Sequence, residues 1–157
     1  MERTAATVWG MGNPLLHDDA AGLKAAEILK EKYLSGLEGF SVRCVETVPA
    51  NFISTLARER PLSFVLIDAS DMGLMPGEIR RFPLSRLEES AFTSHDFPVK
   101  ILLESALPSD CTGTIIAIQP LSCDLTPDEL TPPVMAAAEK CARLIAEGKI
   151  CDIEELD

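Results

Sequence analysis

Three carboxylates and two imidazoles stand where this chain could do chemistry. Asp18 and Asp19 close VWGMGNPLLHDD, Asp68 ends SFVLIDA, and His17 and His95 lie in loops. Carboxylate oxygens with one imidazole suit nickel, zinc, manganese or iron, with positions left open for a substrate. An aspartate that ends an apolar strand is costly to bury unless it meets a metal, a cation or an N–H group. Each type has an ordinary role as well. Asp18 or Asp19 can cap a following helix, a strand-end aspartate can make a turn, and a single histidine can be a surface or core residue.

Other chemistries fit less well. GMGNPL places glycines at the first and third positions of a dinucleotide fingerprint, but Leu15 stands where its last glycine belongs. His17-Asp18-Asp19 then brings carboxylates to the place where pyrophosphate needs bare amides, and no GK[ST] follows. Ser94 adjoins His95, yet no GxSxG elbow exists. The five cysteines, Cys44, Cys111, Cys123, Cys141 and Cys151, are dispersed, without CxxC or a paired histidine. They read as reduced thiols in a reducing compartment.

The elements that must position these residues follow from apolar patterning. Strands are expected at 5–9 (AATVW, ended by a turn at Gly10 and Gly12), 41–46, 63–69, 78–84 and 113–120. Helices are expected from Asp19 through AAGLKAAEILKEKY and over 51–60 with Asn51 as cap. Further helices are expected over 97–107 with Pro98 in the first turn, and over 134–149; SRLEES reads as one helical turn. CDIEELD reads as a frayed acidic tail over 152–157 of a single domain spanning 1–157. Strands alternating with helices, two of them continuous apolar runs, give an α/β three-layer sandwich. Its five-stranded sheet is twisted and mostly parallel, with EIRRFPL as the antiparallel edge. Ligands in such sheets sit beyond the carboxyl ends of the strands. That rule marks the loop after Trp9, the strand end at Asp68 and the loop after Ile118.

Composition bounds the partners. The 157 residues carry a net charge of −11 and are 46% hydrophobic, ordinary for a globular chain with its own core. With no basic stripe, nucleic acid and anionic membranes are not expected partners. No apolar stretch reaches the ~20 residues that span a bilayer, and no signal peptide is evident, so a cytoplasmic protein is expected.

GMGNPLLHDDAAG, LIDASDMGLMPGEIRRF, TSHDFPVKILLE and IIAIQP together resemble, in order and spacing, the nickel–iron hydrogenase maturation endopeptidases. DMGLMPGEIR and TSHDFP are most similar to the branch that processes large subunits of formate-hydrogenlyase-type and deazaflavin-reducing hydrogenases. The resemblance implies an endopeptidase that removes a C-terminal extension from the hydrogenase large-subunit precursor after nickel insertion. It implies nickel, supplied by the precursor, at Asp19, Asp68 and His95, which match the family's three metal positions. Asp18 becomes an accompanying acid, and Gly10, Gly12 and Asn13 give the substrate loop its room. The role of His17 stays open. Many members carry Asp-Gly-Gly or Asp-Gly-Thr after the second strand. Here Glu46-Thr47-Val48 keeps the acid and loses the glycine turn, so Glu46 is a weaker site candidate. A non-catalytic nickel-sensing chaperone of the large subunit would use the same ligands. A small-molecule hydrolase or nucleotide-binding α/β domain is the third reading.

Overall fold

The longest apolar runs form the middle of the sheet. In the computed structural model, which describes residues 2–87 and 99–157, β1 (Ala6–Met11), β3 (Ser63–Ala69) and β5 (Thr112–Ile118) are central. β2 (Phe40–Glu46) and β4 (Ile79–Pro83) are the edges of the order β2-β1-β3-β5-β4. All neighbours run parallel except β4, which pairs antiparallel with β5, as its half-polar sequence predicts.

Alternation along the strands feeds two cores. Val8, Val65, Ile67, Ile116 and Ile118 face α1 (Ala21–Ile28) and α4 (Pro132–Ala146). Trp9, Phe64, Leu66, Ile115 and Ala117 face α2 (Ile53–Glu59) and α3 (Val99–Ala106). Trp9 packs edge-to-face on Phe64 with ring centroids 5.3 Å apart, which anchors the second core. These layers bear out the sandwich.

Several local expectations change. β1 does not stop at Gly10 but runs through it to Met11, because Gly10 serves packing rather than turning. A Cβ there would overlap the carbonyl oxygen of Gly22 and crowd Ala26, so the bare backbone lets α1 approach β1. Gly22, which the sequence reading passed over, is its counterpart. A Cβ on it would meet the carbonyl oxygens of Ile67 and Met11. Asn51 makes no cap: a 3-10 turn over Pro49–Phe52 precedes α2 and supplies the entry instead. The last helix starts at Pro132, two prolines earlier than expected, since proline suits a first turn. The C-terminal residues are not frayed. Arg81 N–H donates to Glu154 O at 3.0 Å and Leu156 N–H to Arg81 O at 2.9 Å, with Ile153 buried beneath. The tail thereby covers the open side of β4, an edge that would otherwise expose unpaired backbone.

Candidate active site

The carboxyl ends of the parallel strands bring Asp19 and Asp68 together. Asp68 leaves β3 in register with Ala117 of β5, and Asp19 sits in the 3-10 turn His17–Ala20 that leads into α1. Asp68 is 6% exposed, and its Oδ1 accepts the N–H of Ala69 at 2.9 Å. Burial, and then the negative charge of Asp19, push its carboxyl well above the usual range; that one N–H offsets them in part. Among the described residues no cation reaches it. Asp19 is half-buried, and its Oδ2 accepts the N–H of Asn13 at 2.9 Å.

Asp18, adjacent in sequence, does a different job. Neither it nor Asp19 caps α1. Its carboxylate is fully buried and accepts four hydrogen bonds from the loop after β5. Leu121 and Ser122 N–H and Thr131 Oγ1–H reach Oδ2 at 3.0, 3.1 and 2.7 Å, and Thr131 N–H reaches Oδ1 at 2.8 Å. Burial raises its pKa, but these bonds together outweigh it and hold the group below the ordinary value. Asp18 is therefore the clamp between the first and last loops of the site.

The Gly-Asn loop is shaped by the backbone. Gly12 lies at φ 147°, and a Cβ there would overlap the carbonyl oxygen of Asp19. Asn13 Oδ1 accepts Leu15 N–H at 2.9 Å, an Asx turn that leaves the Asn13 N–H for Asp19. Glu46 supplies the turn that its missing glycine neighbour would have made. It adopts φ 51° itself, and its carbonyl accepts Gly12 N–H at 3.0 Å. Its side chain is exposed and stands at a cleft beside α1. His17, at φ 49°, donates from Nε2 to the carbonyl of Glu129 at 2.9 Å, which ties two loops together.

Two neighbouring residues escaped the sequence reading. Gln119 follows β5 and is 6% exposed; its Oε1 accepts Met72 and Leu74 N–H at 2.7 and 3.2 Å. Its Nε2 donates to Asp71 at 3.2 Å, so it fixes the DMGLMPG loop. Ser70 lies two residues beyond Asp68, and its buried hydroxyl has no partner among the described residues. A polar residue closing an apolar run was the available signal in both. Around this centre, large apolar side chains are exposed on the loops after β1, β2, β3 and β5: Leu15, Val48, Met75, Leu121 and Leu125.

The donor chemistry of Asp19 and Asp68 fits a divalent cation, which would offset both the burial of one carboxylate and the repulsion between the two. Among the described residues no three His, Cys, Asp or Glu side chains converge on such a site. His95 lies outside the described residues. Cys123 stands near the pair but is no ready nucleophile. Burial, then the charges of Asp19 and Asp18, raise its thiol above the ordinary value. Among the described residues no helix is long and apolar enough to cross a membrane.

Known proteins share this fold. A family model, HycI hydrogenase maturation protease, matches residues 26–148. The hydrogenase 3 maturation protease of Escherichia coli K12 is 32% identical over 112 residues, 70% of this chain and 69% of its own length. The crystal structure of the nickel–iron hydrogenase maturation protease HycI from Thermococcus kodakarensis superimposes with a TM-score of 0.78. It is 29% identical and covers 94% of this chain and 93% of that one. A crystal structure of the hydrogenase 3 maturation protease gives 0.81 at 26% identity, with 98% and 97% covered. With a family model spanning most of its length and a relative of this similarity, the chain belongs to the hydrogenase maturation proteases.

Proposed function

We propose that the chain removes a C-terminal extension from a nickel–iron hydrogenase large-subunit precursor after nickel has been inserted. The proposed substrates are large subunits of formate-hydrogenlyase-type or deazaflavin-reducing hydrogenases. Asp19, Asp68 and His95 are the residues that would hold the nickel, and the precursor is its source. The observation that carries this reading is Asp68: a buried carboxylate set against the charge of Asp19, with no cation among the described residues. A fold keeps such an arrangement where a cationic ligand completes it.

Bound nickel supplies Lewis-acid polarisation of the scissile carbonyl and a lowered pKa for water. The chain's own groups prepare for it. Asn13 N–H fixes one oxygen of Asp19, and Ala69 N–H fixes one oxygen of Asp68. Asp18 and Gln119 hold the flanking loops still, which preserves the geometry around the cut. Gly12, bare of a Cβ, leaves room for the Asp19 carbonyl and so lets the loop close beside that carboxylate.

The test is incubation with purified nickel-loaded precursor, with release of the C-terminal peptide read by mass spectrometry. Release is expected from the natural chain and is lost in Asp19→Asn, Asp68→Asn and His95→Gln. Nickel-free precursor should stay uncut. Tight binding of loaded precursor without any release would instead assign a nickel-sensing chaperone.

A further inference from the structure

Beside the Asp19 loop, α1, the end of β2 and the 127–130 loop enclose an open cleft of about 330 Å³. Leu23, Leu130 and Met135 give it an apolar floor, and Glu27, Glu46, Asp128 and Glu129 line its rim. Lys24 is the cation of that lining, and it is already paired with Glu27 at 3.5 Å. Among the described residues, no cation is paired with Glu46, Asp128 or Glu129. An apolar floor under a rim of one charge sign suits a side chain with a long aliphatic stem and a positive end.

The position of the cleft ties it to the carboxylate pair. Pro14 and Ala20 line it, and they bracket the loop that carries Asp19. β2 is an edge strand, so an extended chain can run along this side. Leu15 and Leu125, 54% and 81% exposed, flank the Thr126 N–H to Leu15 O bond of 2.8 Å and form an apolar shoulder next to the rim. His17 holds the 129 wall in place through its bond to the Glu129 carbonyl.

We infer that this cleft seats an extended segment of the precursor bearing a lysine or arginine. The stem lies on Leu23 and Met135, and the charge faces Asp128 and Glu129. The inference rests on the precursor being the substrate. It adds a second point of recognition, away from the residues proposed to hold nickel.

Two measurements test it. Asp128→Lys combined with Glu129→Lys should raise KM for loaded precursor roughly threefold to tenfold, leave kcat unchanged, and lose this effect at high salt. Cys44 lies in the cleft lining and is exposed, so its alkylation by iodoacetamide reports occupancy directly. Saturating precursor bound to Asp19→Asn should slow labelling of Cys44 and leave exposed Cys151 unaffected. An unchanged KM with intact cleavage overturns the inference, as does undiminished labelling of Cys44 in the saturated complex. Protection that depends on the chain's own concentration, without precursor, overturns it in favour of a second copy. If the natural chain never cleaves, the protease reading fails separately, and Cys44 protection by bound precursor still decides the cleft.

Discussion

Asp18→Asn is expected to cost about 3 kcal/mol of folding stability. Asp19→Asn, one residue along, should cost under about 1 kcal/mol and abolish cleavage. Asp18 accepts three donors at Oδ2 and one, Thr131 N–H, at Oδ1. An amide of the same shape keeps one oxygen. Its best orientation leaves that oxygen on the three donors and turns the NH2 toward the Thr131 N–H, donor against donor. Hydrogen bonds to a charged acceptor are worth roughly 1.5–3 kcal/mol, and a stranded buried donor costs roughly 1–3 kcal/mol. At this chain length, about 3 kcal/mol corresponds to a fall in Tm of roughly 6–12 °C. Among the described residues Asp19 has a single bond, from Asn13 N–H, which an asparagine oxygen can still accept. Urea unfolding followed by circular dichroism gives the first quantity, and precursor cleavage well below Tm gives the second. The pH dependence has a sign. The folded pKa of Asp18 is depressed, so its contribution is complete above the unfolded value of about 3.9 and is lost as pH falls through the folded value. The gap between natural chain and Asp18→Asn should therefore close on acidification below about pH 4. A loss under about 1 kcal/mol at neutral pH, or a gap that widens in acid, would refute the clamp.

Asp68→Asn is expected to stabilise the fold at pH 7 by roughly 1–2 kcal/mol while removing activity. Its folded pKa is raised, so ionisation destabilises the native state as pH rises, and the gain should vanish below about pH 4 in Tm measured against pH. Gly22→Ala should cost roughly 3 kcal/mol, because its Cβ meets backbone carbonyls of two strands. Gly36→Ala, facing open space, should stay within about 0.5 kcal/mol by the same denaturation assay. Cys141 is buried and its thiol is pushed up to about 12, so iodoacetamide at mild alkaline pH should spare it in the native protein. Peptide mapping should show modification of Cys44, Cys123 and Cys151 first, and of Cys141 once the chain is unfolded.

What the sequence displays is local. Continuous apolar runs announce β1, β3 and β5, and the half-polar EIRRFPL announces an edge, because strand burial acts directly on residue type. Asp19 and Asp68 were legible as polar residues at the carboxyl ends of such runs. Roles that depend on distant partners were not. Asp18 looks like a cap beside α1, yet its donors lie 103 to 113 residues away in the chain. Gly22 sits in the first turn of α1 with no local reason to be glycine until Ile67 and Met11 are placed against it. The tail is acidic and short, and nothing in CDIEELD foretells that Arg81 binds Ile153 O at 2.8 Å and Glu155 at 3.0 Å. Gln119 closes an apolar run as Asp68 does, but its role is visible through the Met72 and Leu74 amides it gathers.

Residue type alone does not separate site from scaffold here; satisfaction does. Among the described residues the buried polar side chains are Thr7, Asp18, Asp68, Ser70 and Gln119, and all but Thr7 lie at the carboxyl ends of the strands or in the loops beyond them. Asp18 and Gln119 have their oxygens filled by loop donors and contribute rigidity. Asp68 has one neighbouring N–H and an opposing negative charge, and the Ser70 hydroxyl has no partner among the described residues. Burying such groups opposes folding, so their retention points to an interaction that the described residues do not supply. The clamp residues hold the loops around a centre that stays electrostatically incomplete. A cation arriving with a substrate would complete it, whereas a cation already resident in the fold would leave no preference for loaded precursor. Under the proposed function, cleavage is expected to depend on nickel in the precursor, with free nickel held weakly by the chain alone.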